Sequence, residues 1–84
     1  MGSFPLDITP NPANDQVIIN SSVLTNTEKI KIALFNQLGV LCEINELQIG
    51  NSYLRLNLGN IPAGIYFLHL TVGNRFSVGR IIKQ

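Results

Sequence analysis

The feature that most constrains this chain is an alternation with a period of two. Ile30, Ile32 and Leu34 alternate with Lys29, Lys31 and Ala33. Leu54, Leu56 and Leu58 alternate with Tyr53, Arg55 and Asn57, and Tyr66, Leu68, Leu70 and Val72 with Phe67, His69 and Thr71. Successive residues of a strand point to opposite sides, so such a pattern sends one set of side chains to a core and the other toward solvent. β-branched and aromatic residues concentrate in these runs, as strands prefer. No segment carries a helical stripe.

Turn signals separate the runs. Pro10-Asn11-Pro12-Ala13-Asn14-Asp15 and the polar residues 21–27 read as loops, and Asn36-Gln37-Leu38-Gly39 as a tight turn. Gly50-Asn51 separates two further runs, residues 60–64 form a Pro/Gly corner, and Gly73-Asn74 reads as a two-residue hairpin loop. The pattern predicts about seven short strands, near residues 4–9, 16–20, 29–36, 40–47, 52–58, 65–72 and 75–83. Strands of this number and spacing indicate an all-β chain folded as an immunoglobulin-like β-sandwich of antiparallel strands. In such sandwiches a Tyr just after a corner can hydrogen-bond back to the backbone. Tyr66 is placed to do so, or else to be a half-buried aromatic on its strand.

At 84 residues the chain is one domain. A domain of this size buries roughly 60–65% of its unfolded surface, which leaves little room for an interior cofactor. With 45% hydrophobic and 13% charged residues, it is too apolar and too weakly charged to be disordered. Its net charge of +1, with no basic run, argues against nucleic-acid binding. The single cysteine, Cys42, excludes an internal disulfide. No apolar stretch approaches the length of a membrane span. Met1-Gly2-Ser3 reads as a cloning remnant ahead of one sandwich domain over residues 4–84, which is expected to be the C-terminal end of a longer protein.

Catalytic chemistry finds no support. His69, the only histidine, falls on the outer face of its strand with no ligand-type neighbours, so a solvent-facing role outweighs a metal site. Cys42 has no base or electropositive setting beside it and reads as a small buried or half-buried residue. Glu43 and Glu46, three apart on a strand, would face opposite ways and make a poor acid–base pair. No serine sits in a Gly-x-Ser-x-Gly context and no Gly-rich phosphate loop is present. The expectation is therefore a non-enzymatic module that binds or addresses, with no cofactor and no metal.

Three segments, taken in order, narrow this. They are Ile8-Thr9-Pro10-Asn11-Pro12-Ala13-Asn14-Asp15; the strand and turn Ile32-Ala33-Leu34-Phe35-Asn36-Gln37-Leu38-Gly39; and Leu58-Gly59-Asn60-Ile61-Pro62-Ala63-Gly64-Ile65-Tyr66, with the chain ending Val78-Gly79-Arg80-Ile81-Ile82-Lys83-Gln84. Their order, spacing and terminal position resemble the type A C-terminal sorting domain of the type IX (Por) secretion system of Bacteroidetes, over about residues 6–84. The resemblance implies an address appended to cargo lying upstream in the native chain. It implies recognition by the outer-membrane translocon and its shuttle proteins, and removal by a surface sortase-like peptidase. The route implied is transit through the periplasm to the outer-membrane surface or secretion. Carried over residue by residue, it marks Pro10, Asn11, Pro12, Gly39, Pro62, Gly64 and Tyr66 as structural motif positions, and Arg80, Ile81, Ile82, Lys83 and Gln84 as the translocon-recognition strand. Gly79-Arg80 departs mildly from the Lys-Lys or Thr-Lys pair common there in the family, while Lys83 matches its usual basic residue near the end.

Physical reasoning adds an expected mode. A terminal strand at a sheet edge offers unpaired N–H and C=O groups, to which a receptor can add a strand. The prolines and glycines are expected to fix backbone geometry. Loss of residues 80–84 is then expected to abolish export while leaving most of the fold intact. Edge strands at both ends would also permit a strand-swapped dimer. The competing readings are a carbohydrate- or protein-binding accessory sandwich of an extracellular enzyme, and a plain spacer. An aromatic platform for sugar looks thin, because only Phe4, Tyr53, Phe67 and Phe76 are expected outward and there is no Trp.

Overall fold

Antiparallel pairing joins the described strands. The computed structural model describes residues 6–21, 24, 30–44, 47–50 and 52–84. Among the described residues eight strands form: β1 (Asp7–Thr9), β2 (Gln16–Asn20), β3 (Ile30–Asn36), β4 (Leu41–Cys42), β5 (Leu47–Ile49), β6 (Tyr53–Asn57), β7 (Gly64–Val72) and β8 (Arg75–Lys83). They make two four-stranded sheets, ordered β1-β2-β6-β5 and β4-β3-β7-β8. Among the described residues there is no helix. The first order is the A-B-E-D order of constant-type immunoglobulin sandwiches, and β3-β7-β8 is their C-F-G, with β4 added beside β3.

The two sheets share one core. Val17 and Ile19 of β2 and Leu54 and Leu56 of β6 meet Leu34 of β3, Tyr66, Leu68, Leu70 and Val72 of β7, and Ile81 of β8. Ala13, Leu24 and Leu58 close the cluster from the loops. These are the inward members of the alternating runs, and fully burying a leucine-sized side chain contributes about 1.5–3 kcal/mol. Among the described residues, every buried side-chain N or O atom has a hydrogen-bond partner.

Turns hold the register. Asn36 Oδ1 accepts from the backbone N–H of Leu38 (2.9 Å) and of Val40 (3.0 Å), which folds the chain back at the end of β3. Gly39 completes that turn at φ +83°, a region that a Cβ disfavours. Gly73 and Asn74 form the two-residue hairpin between Val72 and Arg75, as the sequence indicates.

The run expected as a single strand over residues 40–47 behaves differently. It yields β4 in one sheet and β5 in the other, so the chain changes sheets there. Local alternation cannot encode that switch, because each half takes its partner from a distant strand, β3 or β6. The expected strand near residues 4–9 is described from β1 onward, at Asp7. Met1-Gly2-Ser3, Phe4, Lys29, Glu46 and Asn51 lie outside the described residues.

Candidate functional site

The motif residues that the sequence singles out converge on one end of the sandwich, around the last strand. The loop before β2 runs along the outer edge of β8. Asn11 lies between two prolines, neither of which has an N–H to give. Its side-chain carboxamide carries the donor and acceptor of a peptide unit and takes the place of a neighbouring strand. Nδ2 donates to the carbonyl of Arg80 (2.8 Å), and Oδ1 accepts from the N–H of Ile82 (2.9 Å). Two residues on, the backbone N–H of Ala13 donates to Ile82 O (2.7 Å), and its carbonyl accepts from Gln84 N–H (2.8 Å). These form a parallel bridge between Ala13 and Lys83. Ala13 itself is fully buried, which suits a small side chain at this close approach. The Thr9–Pro10 and Asn11–Pro12 peptide bonds are cis.

The Pro/Gly corner meets the same strand from the other side. Gly64 opens β7 at φ +155°, opposite Lys83. The Lys83 ammonium donates to the carbonyl of Ile61 (2.5 Å). Tyr66 is buried in the core, and its hydroxyl donates back to the carbonyl of Pro62 (2.5 Å). Of the two readings open for this residue, the structure shows the hydrogen-bonded corner. Burial, and secondarily the nearby Cys42, push the Tyr66 phenol above its ordinary 10.0. Gly39 lies on the neighbouring β3–β4 turn. Between that turn and the corner is a shallow, open cleft of about 450 Å³, lined by residues 36–38 and 63–66, with no charged side chain.

This geometry corrects the expected open edge at residues 80–84. In an antiparallel strand alternate residues direct their backbone groups outward. Here the outward groups at Arg80, Ile82 and Gln84 are already taken by Asn11 and Ala13. The five terminal residues also divide by direction. Ile81 is fully buried and Lys83 is tied to Ile61, while Arg80 and Gln84 are exposed and Ile82 lies on the outer face. Removing residues 80–84 would take away a fully buried core side chain together with the partners of Asn11 and Ala13, so the fold is expected to be lost along with export.

The remaining candidates fall elsewhere. His69 lies on the outer face of β7 but is half-buried, with its ring 4.7 Å from that of Phe35 and 6.4 Å from that of Phe76. Cys42 is half-buried and packs against the core, its thiol donating to Val40 O at 3.7 Å. Glu43 is exposed, whereas Glu46 lies outside the described residues. Among the described residues no three His, Cys, Asp or Glu side chains are grouped to hold a metal ion, and no helix is long and apolar enough to cross a membrane. The sequence reading missed two things. One is Asn11 as a bridge to β8, whose signal is an amide side chain between two prolines. The other is Phe35 as an outward aromatic beside Phe67, visible only once β3 and β7 are in register.

Among curated proteins none matches this chain. A family model described as "Secretion system C-terminal sorting domain" matches residues 7–84, which includes every motif position placed above. That match does not favour the accessory-sandwich alternative. With the loop, the corner and the last strand joined in one folded unit, the chain belongs to the secretion-system C-terminal sorting domains, the sorting signals of type IX secretion.

Proposed function

We propose that this domain directs an upstream cargo from the periplasm through the type IX outer-membrane translocon of a Bacteroidetes cell, and that the signal is read in its folded form. On this reading the translocon and its shuttle proteins recognise the domain, and a sortase-like surface peptidase then removes it. The cargo ends at the cell surface or in the medium. The observation that carries the proposal is the family match over residues 7–84, together with hydrogen bonds that join positions 69 and 71 residues apart in sequence. A linear tag has no need of such cross-links. A conformational address does, because its outward side chains must be presented together.

Among the five terminal residues, Arg80, Ile82 and Gln84 are the ones available for recognition by side chain. Ile81 and Lys83 serve by holding the strand. A receptor strand could join β8 along its terminal half only by displacing the Asn11–Ala13 segment, which makes side-chain recognition the more economical route.

The test is a fusion of the whole chain behind a periplasm-targeted reporter, expressed in a bacterium with this secretion system. The reporter is expected at the cell surface or in the medium, and not in an otherwise identical strain lacking the translocon. Retention in the periplasm of both strains would sink the reading.

A further inference from the structure

The outer face of the β4-β3-β7-β8 sheet carries far more apolar surface than a solvated sheet needs. An antiparallel sheet packed on one side normally alternates apolar-in and polar-out. Here the cross-strand registers place Leu41, Phe35, Phe67 and Arg80 in one outward row, and Ala33, His69 and Val78 in the next. Lys31, Thr71 and Phe76 form a third row, and Ile65 and Ile82 a fourth. The exposed members are large: Leu41 is 64% exposed, Phe76 52%, Val78 47% and Ile65 37%. Phe35, His69 and Phe76 run as a chain of ring contacts across its middle. A contiguous patch of this kind marks an interaction site, since scattered single apolar residues do not line up across strands.

Charge selects the occupant. The only formal charges in the four rows are Lys31, on β3, and Arg80, two rows away on β8, and the rows contain no carboxylate. Glu43 lies one residue beyond β4. A second copy of this chain would bring the same two cations to the interface with a single acid among the described residues, Glu43, at the margin to meet them. A protein surface with an apolar centre and acidic groups at its margin would satisfy both features. From strand spacing and rise, the face measures on the order of 500 Å². That area lies at the low end for specific complexes and suits a contact that forms and is later released.

We propose that this face, centred on Phe67, His69, Phe76 and Val78 and flanked by Lys31 and Arg80, is the docking surface for an acidic-rimmed apolar patch on a protein of the secretion machinery. The proposal rests on the sorting function given above and adds where and by what chemistry the domain is held. Docking the face leaves the Asn11–Ala13 segment and the core undisturbed, so the folded state is the one bound.

The experiment uses the same export fusion with F76S/V78S, R80E, R80K and, on the opposite sheet, R55S. A photo-crosslinking residue is placed in turn at position 78 and at position 48. Folding of each variant is checked by thermal unfolding of the purified chain. The face predicts that export of F76S/V78S and of R80E falls by about tenfold or more while both still unfold cooperatively. It further predicts that R80K and R55S export normally. Cross-links from position 78 should reach acid-flanked segments of a secretion protein, and position 48 should give none. If the unsubstituted fusion is not exported, the sorting function fails. If it is exported and F76S/V78S exports equally well, the face fails alone. Cross-links from position 78 to a second copy overturn the assigned occupant. So does binding of the purified chain to anionic phospholipid vesicles that is lost in F76S/V78S.

Discussion

Asn11 offers the sharpest check on how the last strand is held. In Asn11→Ala, two side-chain hydrogen bonds disappear, to Arg80 O and from Ile82 N–H. Each contributes about 0.5–1.5 kcal/mol net. The site is exposed, so water can take over the freed groups, and the total loss is about 1–2 kcal/mol. For a domain of this size that lowers Tm by roughly 5–15 °C. Asn11→Asp separates the two bonds. A carboxylate oxygen can still accept from Ile82 N–H but has no proton for the Arg80 carbonyl. Amide hydrogen exchange reads the difference at one position. In Asn11→Ala the Ile82 amide should exchange faster, by about tenfold for each 1.4 kcal/mol lost locally. In Asn11→Asp it should stay protected although Tm falls. An Ile82 amide equally protected in Asn11→Ala and the parent chain would refute the view that Asn11 acts as a surrogate strand.

Two further tests address the other side of the strand. Tyr66→Phe removes the hydrogen bond to Pro62 O and should destabilise by about 1 kcal/mol. Because burial raises the Tyr66 phenol, the folded chain keeps a proton that the unfolded chain releases above 10.0. Stability should therefore fall as pH rises from 10.0 through the raised value, and Tyr66→Phe should show a shallower fall in alkaline denaturant titrations. Deleting residues 80–84 removes fully buried Ile81 and should abolish cooperative unfolding, whereas Ile81→Ala alone should cost about 2–5 kcal/mol by urea denaturation. A truncated chain that still unfolds cooperatively would contradict this account of the core.

Much of the architecture is written in the alternation. The inward residues of β2, β3, β6 and β7 follow it, and the Gly73-Asn74 hairpin needs only its two turn residues. Where legibility fails, the cause is distance. The segment after Gly39 reads as one strand, because nothing local says that its halves pair with β3 and β6 in different sheets. The capped edge of β8 depends on Asn11, some seventy residues earlier, and no periodicity connects them. The apolar outer face was hidden for a third reason. Each of its residues, taken singly, is an ordinary outward side chain, and only the register of four strands assembles them into rows.

The last strand thus serves two ends, and the pleat keeps them apart. Its inward residues are Ser77, Gly79, Ile81 and Lys83; they face the core, the corner carbonyl at Ile61, and Leu6 and Ile8. Gly79 leaves room there, since a Cβ would come within 2.5 Å of Ile8 Cδ1. Its outward residues are Phe76, Val78, Arg80 and Ile82, and they lie in the apolar rows. Substitutions along β8 from Phe76 onward should therefore separate by parity: odd positions change stability, and even positions change export at constant stability. A sorting signal built this way has a physical reason to fold before it is read. In an unfolded chain, Phe76, Val78, Arg80 and Ile82 would share no common face, and Phe35, Phe67 and His69 would not lie beside them.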